Sequence, residues 1–183
     1  MKRNLPALLA LLALALPAVL PAQAAEKAPS PLELMHEIDG VYKKHPENAQ
    51  PNQAGDVIEL VPHDDDHLYL SAHLDFANGG SCDIAGMARF EHGAFVYRDP
   101  AQPLPGERPC ALRLHVTDKK LVLTDRETPD APATCKAYCG ARGDLDYEIG
   151  REARQPIAYL DRLKRSKEYR RAVQDLRQVE KKQ

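Results

Sequence analysis

The stretch HLYLSAHLDFANGGSCDIAGMARF, residues 67 to 90, decides the fold. In its first half Leu68, Leu70, Ala72, Leu74 and Phe76 fall on one side of an extended chain, and His67, Tyr69, Ser71, His73 and Asp75 fall on the other. Alternation with a period of two marks a strand that has one face in a core and one in water. Asn78-Gly79-Gly80 supplies a turn, and the second half repeats the period, with Ile84, Gly86, Ala88 and Phe90 inward.

The same pattern recurs on both sides of this stretch. His92-Gly93 turns the chain into Ala94 to Arg98, and a proline-rich loop at 100 to 109 follows. Cys110 to Val116 then carries Leu112, Leu114 and Val116 on one face, Asp118-Lys119 turns, and Leu121 to Asp125 returns. Val41 to Lys44, Asp56 to Val61 and Leu145 to Ile149 complete a set of about eight short strands, enough for a small meander barrel. Tight turns between short strands require antiparallel neighbours. The fold class read here is therefore mainly β, a small antiparallel meander barrel; an open sandwich of the same strands is the alternative.

Helices are expected at both ends of this β region. Ser30-Pro31-Leu32-Glu33 is a capping box with proline at the first helical position, so a short helix is expected from Pro31 to Ile38, stopped by Asp39-Gly40. Residues 46 to 55 offer turn formers and nothing to bury, and read as loop. Beyond residue 150 the period becomes helical, with Pro156 suited to a helix start. Ile157, Leu160 and Leu163 form one stripe, and Tyr169, Val173 and Leu176 form a second, rotated from the first by roughly 120°. One straight helix cannot align both stripes. Two pieces are expected, with a break near Ser166, which can cap the second.

The chain begins with Lys2 and Arg3, an apolar run from Leu8 to Leu20, and Ala22-Gln23-Ala24, which together read as a secretory signal peptide cleaved after Ala24. The run is short of the ~20 residues needed to span a bilayer, and no cysteine stands near the cleavage point to accept a lipid. The organisation expected is a signal peptide over 1–24, a disulfide-stapled β domain over 25–150, and a basic helical segment over 151–183 packed on it. The product would be a soluble monomer in the periplasm. One domain of this size buries about 70% of the surface that its unfolded chain exposes.

The near-neutral total charge conceals an asymmetry: residues 25–150 hold 12 Lys and Arg against 22 Asp and Glu, and residues 151–183 hold 11 against 5. A basic helix beside an acidic body reads as a solvated helix that docks partly by charge complementarity, and export excludes nucleic acid as a partner. All four cysteines follow the leader, and an even count in an oxidising compartment reads as two disulfides. In an up-and-down meander Cys82 and Cys110 open strands at the same end, and the strand Leu121 to Asp125 returns to that end before Cys135. The expected pairs are Cys110 with Cys135 and Cys82 with Cys139.

Several phrases then point to a family: Asp39-Gly40-Val41-Tyr42, Leu74-Asp75-Phe76-Ala77-Asn78-Gly79, Phe95-Val96-Tyr97-Arg98, and Cys135-Lys136-Ala137-Tyr138-Cys139-Gly140-Ala141-Arg142-Gly143. Over residues 36 to 173 the chain resembles a group of uncharacterised secreted proteobacterial proteins, which implies a periplasmic β domain with a C-terminal helix and no assigned activity. It is also similar in kind to bacterial C-type lysozyme inhibitors, small disulfide-bonded periplasmic barrels, whose Ser-Gly-x-x-Tyr phrase is absent here.

Two stretches carry candidate chemistry. The loop Tyr138 to Asp144 is the candidate binding element, because a cysteine-anchored, glycine-flanked loop can present Arg142 to a carboxylate or other anion. Its competitor is a purely structural arginine paired with Asp144 or Asp146. His63-Asp64-Asp65-Asp66-His67 carries metal-ligating groups, but a run of aspartates between two strands reads as a hairpin loop, so no metal is assigned. His73 and His115 fall on outward faces and read as solvated. No Gly-x-Ser-x-Gly, His-Glu-x-x-His or phosphate-cradling glycine loop occurs, so the expectation is not an enzyme and no cofactor. The function expected is a non-catalytic binding or inhibitory module acting on a periplasmic or cell-wall-associated protein through Tyr138, Arg142 and Asp144. A small-ligand carrier using the barrel interior is the second reading.

Overall fold

The computed structural model describes residues 29–45, 55–103 and 105–181, so the expected signal peptide and its expected cleavage point lie outside the described residues. Helix α1 spans Pro31–Ile38, with Ser30 and Glu33 capping each other reciprocally. Strands follow at β1 Gly40–Lys44, β2 Asp56–Pro62, β3 His67–Asp75, β4 Ser81–Glu91, β5 Ala94–Arg98, β6 Ala111–Val116, β7 Lys120–Thr124, β8 Tyr147–Gly150 and β9 Arg154–Gln155. Helices α2 Leu160–Lys164 and α3 Lys167–Glu180 complete the order.

Every neighbouring pair is antiparallel, in the order β8-β7-β6-β5-β4-β3-β2-β1-β9, which makes a nearly closed nine-stranded barrel. The closure is made by one segment. β8 pairs with β7, a 3-10 turn at Arg151–Ala153 redirects the chain, and β9 pairs with β1 through Val41 opposite Gln155 and Tyr42 opposite Arg154. The ninth strand was not expected: two exposed residues carry no alternation that a sequence could reveal. Residues 151–155 consequently belong to the barrel wall and not to the helical tail.

The alternation of residues 67–90 is realised in register, with Leu68 opposite Ala88, Leu70 opposite Gly86 and Ala72 opposite Ile84. The β4–β5 hairpin turns through His92 and Gly93, both at positive φ (50° and 83°), as a two-residue turn matched to strand twist requires. The barrel interior is filled. Tyr42, Phe95, Ile58, Leu60, Leu112 and Leu114 are fully buried there, and Met35 and Ile38 of α1 close the end at which β1 begins. The Tyr42 hydroxyl donates to the Ile38 carbonyl at 2.9 Å, which ties the helix to the strand it precedes. At the opposite end the two disulfides join the loops.

The tail breaks at Ser166, whose hydroxyl accepts from the Tyr169 amide at 3.0 Å. Pro156, expected at a helix start, instead follows β9, and the helix begins only at Leu160. Tyr169, Ala172 and Leu163 bury a second, smaller core against Val61 and Tyr69 on the outer wall of β2 and β3. Tyr69, on the face expected to meet water, is therefore buried, and His67 on the same face is buried beside Asp64 and Asp66. Docking is apolar: among the described residues α3 makes its one ion pair internally, Arg171 with Asp175, and none to the barrel. The expected charge complementarity shows at the start of the basic segment instead, where Arg151 pairs with Glu37 and Arg154 with Asp39.

Candidate functional site

The stapled end is built by strand arithmetic. Because β4 and β6 start at the same end and β7 returns there, Cys82, Cys110 and the chain after β7 converge, and the bridges are Cys82–Cys139 and Cys110–Cys135, as expected from the meander. Asp125, one residue beyond β7, is almost wholly buried and accepts the Cys135 amide at 2.6 Å. Lys136–Tyr138 is a 3-10 turn, after which Cys139 runs alongside Cys82 as a short antiparallel bridge. The Gly140 amide donates to the Ser81 carbonyl at 2.8 Å.

Two glycines allow the close approach. A Cβ on Gly143 would lie 2.7 Å from the Cys82 Sγ and 2.7 Å from the Ser81 oxygen, and one on Gly80 would lie 2.6 Å from the Arg142 carbonyl carbon. Loop 138–144 is thus pressed onto the β3–β4 turn by sterics as well as by sulfur. A pair of hydrogen bonds locks the contact: Arg142 Nη1 donates to the Asn78 carbonyl at 2.8 Å, and Asn78 Nδ2 donates to the Arg142 carbonyl at 3.1 Å.

The three proposed binding residues have different surroundings. Arg142 is exposed, and among the described residues its guanidinium meets no carboxylate. Asp144 and Asp146, the partners a structural arginine would use, belong to Arg126 instead. Arg126 Nη2 reaches Asp144 at 3.1 Å and its Nε reaches Asp146 at 2.5 Å, while its Nη1 donates to the Ala131 carbonyl. Tyr138 is part-buried, and its hydroxyl donates to Asp99 at 2.6 Å, with the Tyr97 hydroxyl 3.3 Å away. Burial first, and then the Asp99 carboxylate, raises the Tyr138 phenol above its ordinary range. Tyr138 and Asp144 therefore hold the loop in shape, and Arg142 is the group it presents. Sequence reading missed Arg126 and Asp125, because nothing in a strand-end Asp-Arg pair tells which loop will fold over it.

The acidic hairpin is a turn built from its own side chains. Asp64 Oδ1 accepts the amides of Asp66 at 3.1 Å and His67 at 2.8 Å and lies 2.9 Å from His67 Nδ1, while Asp66 pairs with Arg89 at 3.0 Å. Burial pushes the Asp64 carboxyl up, but these bonds outweigh it and leave it below the usual carboxylate range. His73 is partly exposed, as read, yet its Nδ1 lies 2.5 Å from Asp83, and that carboxylate raises the imidazole pKa. His115 is exposed on β6.

Compared with family models, with curated proteins and with solved structures, the chain matches none.

Proposed function

We propose that the protein is a non-catalytic binding or inhibitory module of the periplasm, docking on a periplasmic or cell-wall-associated protein through loop 138–144. One observation carries this reading. Among the described residues Arg142 is exposed without a carboxylate partner, although two aspartates stand two and four residues further along the chain, because Arg126 holds both. An arginine kept for binding retains free donors, and a loop already fixed by a disulfide and the Asn78 contacts loses little entropy when it docks. The natural complement of such a fork is a carboxylate on the partner's surface.

The leader-like start of the chain and the two disulfides support an exported, oxidising location. The likeness of the Cys135 to Gly143 phrase to secreted proteobacterial proteins belongs to the same reading. An interior packed with Tyr42, Phe95 and leucines favours recognition by the surface over carriage of a ligand inside.

The test is retention of periplasmic proteins on columns bearing the wild type and Arg142→Ala side by side. The variant should keep its stability to within about 0.5 kcal/mol, as surface changes usually do, while the partner's affinity falls about tenfold or more. Destabilisation beyond about 2 kcal/mol would make Arg142 a strut of the fold, and equal retention by both columns would remove it from recognition.

A further inference from the structure

On the barrel wall, β5 to β8 form an open groove of about 700 Å³, whose lining does not include Arg142. Its floor is apolar: Ala94 and Val96 are only 4% and 6% exposed although their strand positions point outward. Its walls carry Glu91, Asp146 and Glu148, and Glu127 leans in from the loop after β7. Arg113 stands mid-wall, opposite Val96 on β5 and Thr124 on β7.

Each of the four carboxylates already has a cation. Arg98 pairs with Glu91 at 2.8 Å, Arg126 with Asp146 at 2.5 Å, Lys120 with Glu148 at 2.5 Å and Arg108 with Glu127 at 3.7 Å. Arg113 takes no part in this network. Among the described residues its guanidinium makes no ion pair, and its Nη1 is sealed from solvent without a hydrogen-bond partner. An unsatisfied buried donor on a charged group is costly, and folded proteins rarely leave one without a water, ion or ligand to meet it.

We infer that this groove is a second binding site, in which Arg113 grips the carboxylate of a small organic acid or of a peptide C-terminus. A planar monoanion suits the fork: one oxygen meets the groove-facing donors, and a rotation of the guanidinium brings the now-sealed Nη1 to the other. Phosphate suits it poorly. The surrounding charges compensate one another, so no broad positive field attracts a polyanion. The apolar floor would hold the aliphatic part of the ligand against Val96 and Val122.

The test follows the Arg113 side-chain resonance in isotope-labelled protein while N-acetyl-Ala-Ala is added as the free acid, as its C-terminal amide, or in competition with inorganic phosphate. The free acid should produce a saturable shift with Kd on the order of 1 mM or tighter. The amide should not bind, and phosphate should not displace the acid. Arg113→Lys, which keeps the charge and loses the fork, should weaken binding about tenfold, and Arg142→Ala should leave it unchanged. An Arg113 resonance unmoved by the free acid in the wild type overturns the site whatever the variants do. Equal binding of acid and amide, or displacement by phosphate, overturns the carboxylate assignment. Since the site does not involve Arg142, its failure leaves the docking reading standing, and the converse holds as well.

Discussion

Gly86 shows how much one missing methyl group decides. It faces the barrel interior where β5 has ended, and the Tyr97 ring lies across it: a Cβ at that position would stand 2.0 Å from Tyr97 Cε2. The ring thereby fills the gap in the wall, and its hydroxyl reaches Tyr138 and, through it, Asp99. Burial raises the Tyr97 phenol well above its ordinary range, so it stays neutral and can share that chain of hydrogen bonds. Gly86→Ala should destabilise the domain by about 1–3 kcal/mol, the usual cost of overpacking a filled core, as read from urea unfolding midpoints. A midpoint equal to that of the wild type would mean that the ring has room to move. Gly86 was legible as an inward position from the alternation alone. Its service to Tyr97 was not, because a sequence shows which face a residue takes but not which side chain crosses over it.

Among the elements, legibility followed the length of the pattern. The strands around residues 67–90 carry sustained alternation and came out where they were expected, as did the strand that the His92-Gly93 turn opens and the helix announced by the Ser30–Glu33 box. β9, two residues long, carried no signal. The outer face of β3 was misjudged for another reason: alternation separates two faces without saying that a distant helix covers one of them. Tyr169 packs on Tyr69 with ring centroids 4.7 Å apart, and the His63 imidazole lies 3.3 Å from the Tyr169 hydroxyl. The placement of Tyr169 depends on where α3 starts, and that is fixed by Ser166. Ser166→Ala should therefore cost about 1 kcal/mol and speed amide exchange in the first turn of α3, while Ser166→Asp should restore both. Unchanged exchange in the alanine variant would show that packing alone sets the start of the helix.

At the scale of the molecule the barrel is closed at one end by a helix and at the other by cross-linked loops, and the two ends differ in kind. α1 closes its end with apolar side chains that belong to the core. The other end is held by disulfides that enclose separations of 57 and 25 residues, cross-links that stabilise by restricting the unfolded chain. Their pairing could be read beforehand because an antiparallel meander fixes which strand ends are neighbours. The assignment of Asp144 and Asp146 to Arg126 could not, since it depends on how the loop after β7 folds over the barrel mouth. That assignment leaves Arg142 exposed, and the docking proposal puts the partner at the stapled end. Hydrogen–deuterium exchange on the intact protein, with and without the partner retained by the wild-type column, locates the contact. Protection concentrated in residues 76–80 and 138–144, and absent with Arg142→Ala, is the predicted result. Protection confined to α3 or to the β5–β8 wall, with those two loops exchanging as in the free protein, would contradict it.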